Sequence, residues 1–509
     1  MPLSPNLRMM QESIEEYARG YGLDMFDIVY EVMGTFGINE FAAYGGFPTR
    51  YPHWRFGMSY DQLAKGTRYG AQKIYEMVIN NDPCYAYLLS TNTMMDHKLV
   101  MAHVCAHCDF FKNNFYFAHT NRRMIDEIAN HAARIRGYVD RFGAEKVETF
   151  IDRVLSLENM LDLNVIFAGD DKMLDAARPL SEEEEAAMGP VKPYKIAAPA
   201  YLDRFMNPPE LVEEDRKDRE KKRQELRKRF PREPIRDILW FLLYYAPLDS
   251  WQKDIISIVR EEAYYFAPQG MTKIMNEGWA AYWHSRLMTE KIMDDADVVG
   301  FADRHASVVR ANRAQLNPYR LGMMLFRDIA ERWDKGKFGR EWEDCDNMQE
   351  RNSWDKKVGK GQEKIFDVRW VHNDVTFVDE FLTKEFVQDN MLFGYDYDKA
   401  KGTYTISTRE FDEIKQKLLG SLVNNGNPYI QIQDANFENR SELLLVHQHY
   451  GTDLQADHAR ATLVNLYHLW GRPTALVTKI ENKGMLLRFD GTDHHADETD
   501  YDQWIGKKS

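Results

Sequence analysis

The sequence predicts an α+β chain in two parts: a large, mainly helical N-terminal domain with a small antiparallel sheet, and a smaller C-terminal α+β domain. Three observations carry this expectation. Long N-terminal stretches repeat apolar residues at helical spacing. Two short runs rich in β-branched and aromatic residues flank the turn residues Asn80-Asn81-Asp82-Pro83. Beyond residue 364 the pattern switches to short strands bounded by turns.

In chain order, residues 7–21 form an amphipathic helix, and residues 44–56 form an aromatic loop punctuated by Gly and Pro. Loops of this kind either wall a pocket or plug a core. Residues 73–79 and 84–90 read as strands, so a hairpin is expected around residues 80–83. Residues 91–96 lead into a helix over 97–111, and residues 120–163 continue in helical pattern. Residues 170–209 are looser, with an acidic run at 182–185. Residues 213–229 alternate charge sign with scarcely an apolar side chain, which predicts a solvated helix or a spacer. Residues 237–246, 251–267 and 273–289 are apolar, aromatic helices. The polar, Trp/Gly/Lys-rich stretch 335–364 marks a boundary, giving domains over 1–350 and 365–509. The second should hold strands at 404–407, 429–433, 442–448 and 475–480, with helices at 408–422 and 457–469.

Composition narrows the function classes. With 509 residues, 44% apolar and 29% charged, the chain can bury a large core. A net charge of -14 argues against neutralising phosphate backbones, so no nucleic acid partner is expected. No apolar run approaches the roughly 18 residues of a membrane span, and residues 1–20 are polar and acidic rather than a signal peptide. Four cysteines are too few for a disulfide framework, which fits a reducing, cytoplasmic setting.

Two segments carry the chemistry: His103-Val104-Cys105-Ala106-His107, and Asn276-Glu277-Gly278-Trp279-Ala280-Ala281-Tyr282. Histidines four apart lie one above the other on a helix, where both imidazoles reach one cation, and Glu277 from a second helix closes the set. Two histidines and a carboxylate suit zinc and would accept iron or manganese. In the HExxH pattern of zinc peptidases the residue after the first histidine is the glutamate that acts as general base, and here it is Val104. A base must therefore come from elsewhere. His284, two helical turns beyond Glu277, is the first candidate, against the plain reading of a packed helix histidine; Glu76 on the hairpin and Asp109 are fallbacks. His97, His119 and His131 read as structural. Cys105 and Cys108 point away from His103 on the helix and read as packing residues.

Asn276-Glu277-Gly278 with Ala280 resembles the motif of the gluzincin aminopeptidases, which implies that Glu277 is the third zinc ligand. Phe110, after His107, also resembles that family's helix, and the small sheet is then zincin-like, with an edge strand suited to peptide substrates. Tyr282 is a conjectural support for the oxyanion, against a plain packing role. A second resemblance covers far more of the chain. Tyr51-Pro52-His53-Trp54-Arg55-Phe56-Gly57, Asn80-Asn81-Asp82-Pro83, Met101-Ala102-His103-Val104, residues 109–114, residues 276–284, Asn317-Pro318-Tyr319-Arg320-Leu321-Gly322 and Leu469-Trp470-Gly471-Arg472-Pro473 together resemble the SpoVR family, relatives of stage V sporulation protein R. That resemblance implies a bacterial protein linked to spore cortex formation, with a PrkA-type serine kinase and a von Willebrand A-like protein as partners. The expectation is a metal-dependent hydrolase of an amide or peptide bond, acting on a peptide-like or peptidoglycan-derived substrate. The rival is a non-catalytic scaffold or regulator of the kinase system.

Overall fold

The computed structural model describes residues 1–70, 73–165, 169–179, 181, 184, 191–197, 199, 202–311, 316–398 and 402–505. The acidic run at 182–185 lies outside the described residues except for Glu184. The chain divides into two compact units, residues 1–147 with 262–426 and residues 148–261 with 427–509.

In the first unit the helix Met94–Asn113, the histidine helix, is apolar on almost every side, and its side chains are buried from Val100 to Phe111. A helix without a polar face belongs in a core. Its start is set by a capping box: Thr93 Oγ1 accepts from Asp96 N at 3.1 Å, and Asp96 Oδ2 accepts from Thr93 N at 3.0 Å. The helix Lys273–Leu287, the glutamate helix, is also buried on most faces. Two of its N-terminal amides, Ile274 N and Met275 N, donate to the Asp374 carboxylate at 2.8 and 2.9 Å, which satisfies donors that no helical turn can reach.

A third helix, Pro318–Lys335, starts where the Asn317 side chain accepts from Arg320 N at 3.2 Å and stops at Gly336, with φ of 73°. It crosses the glutamate helix at two glycines. A Cβ on Gly278 would lie 2.4 Å from Gly322 Cα, and one on Gly322 would lie 2.0 Å from the Ile274 carbonyl oxygen. The backbones touch there, which only glycine permits. Asp109 ties the histidine helix to the same core: Oδ1 accepts from Asp24 N at 2.8 Å and Arg369 Nη1 at 3.1 Å, and Oδ2 from Trp279 Nε1 at 2.8 Å.

The small sheet has the order β1-β3-β2, with β1 Ile28–Met33, β2 Glu76–Ile79 and β3 Cys84–Leu89. The antiparallel hairpin is present, pairing Glu76 with Leu88 and Ile79 with Tyr85. The strand β1, to which no element was assigned from sequence, adds in parallel on the other side of β3, so the sheet is mixed and β2 forms an edge. The helices Thr35–Ala43 and Trp54–Arg68 narrow the aromatic loop to residues 44–53. The polar stretch 335–364 lies inside this unit, where Trp354 Nε1 donates to Gly336 O at 2.9 Å.

The first unit also carries a two-stranded antiparallel ribbon, β4 Gly394–Asp398 with β5 Thr403–Thr408. In the second unit, five strands run in the order β10-β9-β8-β7-β6: β6 Tyr429–Phe437, β7 Glu442–Gln448, β8 Thr474–Ile480, β9 Lys483–Phe489 and β10 His494–Glu498. The one parallel pair, β7 with β8, needs a crossover, and the helix Ala456–Trp470 supplies it. Leu444, Val446, Ala475 and Val477 pack with Tyr501 on one face of this sheet. The alternating-charge helix, Pro209–Lys228, carries mostly exposed side chains where these are described. No helix among the described residues is long and apolar enough to cross a membrane.

Candidate metal centre

His103 and His107 lie one turn apart on the same face of the buried histidine helix, edge to face, their ring centroids 4.5 Å apart. From the glutamate helix, Glu277 Oε2 comes within 3.8 Å of His103 Nε2 and 3.6 Å of His107 Nε2. These three ligand atoms all lie within 4.8 Å of one another. Bonds of about 2.1 Å to one tetrahedral ion put ligand atoms about 3.4 Å apart, so each histidine is within a few tenths of an ångström of that spacing from Glu277 Oε2. Glu277 Oε2 is buried and has no hydrogen-bond partner. A carboxylate oxygen left bare in a core is costly unless a cation meets it, and two imidazole nitrogens face the same point. The donor set therefore fits a metal ion.

The protonation states agree. Burial alone would raise the Glu277 pKa, but the histidines and Lys273 outweigh it and hold the carboxyl at about 2. Burial, and then His103, lower His107 to about 4, so its imidazole is neutral, as a ligand must be. His107 Nδ1 lies 2.8 Å from Asn276 Oδ1. An amide oxygen only accepts, so Nδ1 carries the proton and Nε2 turns its lone pair toward Glu277. His103 Nδ1 lies 2.9 Å from His284 Nδ1, and His284 Nε2 lies 3.2 Å from His305 Nδ1. With His103 Nε2 bare, each ring in this chain donates to the next.

Beside the histidines opens a cavity of about 390 Å³ lined by Glu76, Lys73, His103, His284, Arg304 and Tyr319, among others. Glu76 enters it from the edge strand β2; burial is the main cause that raises its pKa, with Glu277 adding to it and His103 opposing. Tyr319 stacks on His103, ring centroids 6.2 Å apart and planes within 20°. Burial first, then the nearby Glu277 and Glu76 carboxylates, push the Tyr319 hydroxyl far above its ordinary pKa.

The structure thus brings His103, His107 and Glu277 together and places Glu76 in the adjoining cavity. His284 faces the Nδ1 edge of His103, whereas Glu277 faces the Nε2 edge. Tyr282 stacks on Trp279, planes within 14°, and its hydroxyl is influenced by Arg286 rather than by Glu277. Asp109 is spent on Arg369 and Trp279. His97 is buried outside the ligand group, and His131 bonds Glu262. Cys105 and Cys108 are buried, and burial pushes the Cys105 thiol up to about 12, which makes it inert. Sequence reasoning quoted Asn276 in its motif without giving it a role, and it singled out neither His305 nor Tyr319. Tyr319 lies in a segment that carried the family resemblance, which was the available signal.

The family model described as SpoVR like protein matches residues 3–427, and that of the SpoVR-like C-terminal domain matches residues 428–481. The chain belongs to the SpoVR family. A relative from Escherichia coli (strain K12), described as "Uncharacterized protein YcgB", is 28% identical over 501 residues, covering 93% of this chain and 92% of its own length. No solved structure matches.

Proposed function

We propose that the protein is a metal-dependent hydrolase of an amide or peptide bond, with His103, His107 and Glu277 holding zinc, iron or manganese. The observation that carries this reading is the buried, unpartnered Glu277 Oε2 facing two imidazole nitrogens at 3.6 and 3.8 Å beside a cavity. A metal held there supplies Lewis acidity and a more acidic water. Glu76 supplies the base that Val104 cannot. Its pKa, raised by burial, suits a carboxylate that takes a proton from water and returns it to the leaving amine. Tyr319, kept protonated, donates its O–H to the oxyanion that develops at the substrate carbonyl. His284 and Asn276 act through the ligands, fixing their tautomers. The free edge of β2 offers backbone groups to an extended peptide, which favours peptide over other amide substrates.

The test is incubation of metal-loaded protein with simple peptides and peptidoglycan-derived peptides, alongside Glu277→Ala, Glu76→Gln and Tyr319→Phe. Glu277→Ala should lose metal and turnover together, whereas Glu76→Gln and Tyr319→Phe should keep metal and lose turnover by about a hundredfold or more. If the wild type gives the product profile of buffer, the hydrolase reading fails for these substrates, and a scaffold working with a PrkA-type serine kinase becomes the better account.

A further inference from the structure

The aromatic segment over residues 51–57 takes no part in the metal centre. It walls a separate cavity of about 610 Å³ in the first unit, and that size is ordinary for a small-molecule site. The rings of Tyr51, Phe56 and Tyr60 line it together with two cations, Arg50 and Arg136, and one carboxylate, Glu40, so an anion must seat on the arginine side. Phe36 also lines it and is 76% exposed, so an apolar ring stands at the mouth.

Arg50 is built into this wall. Its side chain is 7% exposed, and Nη2 meets Glu262 Oε2 at 2.8 Å. Glu262 Oε1 in turn lies 3.1 Å from His131 Nδ1, so the acid is held from both sides. The guanidinium carbon lies 5.2 and 5.0 Å from the Tyr51 and Phe56 ring centroids. Its Nε and Nη1 are buried and have no hydrogen-bond partner. A purely structural arginine would use its fork on both carboxylate oxygens; this one uses a single nitrogen and leaves two charged donors unmet, which is costly. An acceptor with two or three oxygens would repair that deficit.

We propose that this cavity binds a small ligand made of a flat ring carrying one oxyanion, either a carboxylate or a phosphate. The oxyanion sits against Arg50 and Arg136, and the ring packs among Tyr51, Phe56 and Tyr60. Glu262 and His131 hold Arg50 in place before the ligand arrives, which lowers the ordering cost of binding. Nothing in this arrangement depends on the metal centre.

Calorimetric titration of the full chain with benzoate, phenyl phosphate, inorganic phosphate and benzyl alcohol tests it. At least one ring-bearing anion should bind about tenfold or more tightly than both benzyl alcohol and inorganic phosphate, and the better of the two identifies the anion. Arg50→Lys keeps a cation for Glu262 but loses the planar donors, so it should weaken that ligand about tenfold. Arg136→Gln and Tyr60→Ala should each weaken it several-fold, and Glu277→Gln should leave it unchanged. The proposal is overturned if neither ring-bearing anion outbinds benzyl alcohol, or if inorganic phosphate binds as well as they do. It is equally overturned if Arg136→Gln and Tyr60→Ala, with wild-type melting curves, bind as the wild type does.

Discussion

Replacing Gly278 by alanine should damage both the fold and the proposed metal centre, because this glycine is where two helices touch. The added Cβ would meet Gly322 Cα at 2.4 Å, Gly322 C at 2.5 Å and Met323 N at 2.8 Å, all of them backbone atoms. Carbon atoms in ordinary contact sit about 3.5 to 4.0 Å apart, so the helices must part by about 1 Å, and no rotamer change can absorb it. Overpacking of this kind costs about 3 kcal/mol when only backbone can move. At about 2 °C per kcal/mol for a unit of this size, the melting temperature should fall by about 6 °C. Glu277 is the next residue along, so zinc affinity should fall too, by about tenfold or more. Far-UV circular dichroism melts of the metal-free protein and chelator-competition titrations measure the two effects. Gly137, inside the helix Met124–Phe142 with nothing within 4 Å of its Cβ position, is the control. Gly137→Ala should be neutral or stabilising by up to about 1 kcal/mol. If Gly278→Ala melts within about 1 °C of the wild type and binds zinc equally well, the close-crossing argument is refuted.

Asn276→Ala and His284→Ala each remove the group that orients one of the proposed ligand imidazoles, so zinc affinity should drop about 10- to 100-fold in competition titrations while the melting curve barely moves. Asp109→Ala strands Arg369, whose side chain is 9% exposed, as a buried charge, and should cost about 3 to 5 kcal/mol in urea unfolding. In the second unit, burial first and then His449 depress His447 to about 4 from 6.5, and its Nδ1 lies 2.9 Å from Thr478 Oγ1. The native state keeps this histidine neutral while the unfolded chain protonates it, so its contribution is fully present above pH 6.5 and lost as pH falls toward 4. At 1.36 kcal/mol per pKa unit that is about 3 kcal/mol at most. Hydrogen-exchange protection in β7 and β8 should fall over that range, and His447→Gln should flatten the dependence.

The sequence by itself determined those features that depend on a single element. Helical pitch is fixed by the backbone, so the spacing of His103 and His107 was enough to bring them side by side on one face, and the run of turn residues at 80–83 was enough to make the hairpin. The strand β1 escaped notice because a six-residue run, apolar except for Glu31, is too short to show a periodicity that separates it from buried helix. What only the tertiary structure decided is which remote side chains enter the cavity. His284 shares a face with Glu277, as the spacing required, yet an imidazole has two nitrogen-bearing edges, and packing gave it the Nδ1 edge of His103. Tyr282 falls five residues past Glu277, about 140° round the helix, and so turns to Trp279. Tyr319 reaches Glu277 because Gly278 and Gly322 let their helices meet at backbone contact, a distance fixed by two missing side chains and written in no local pattern.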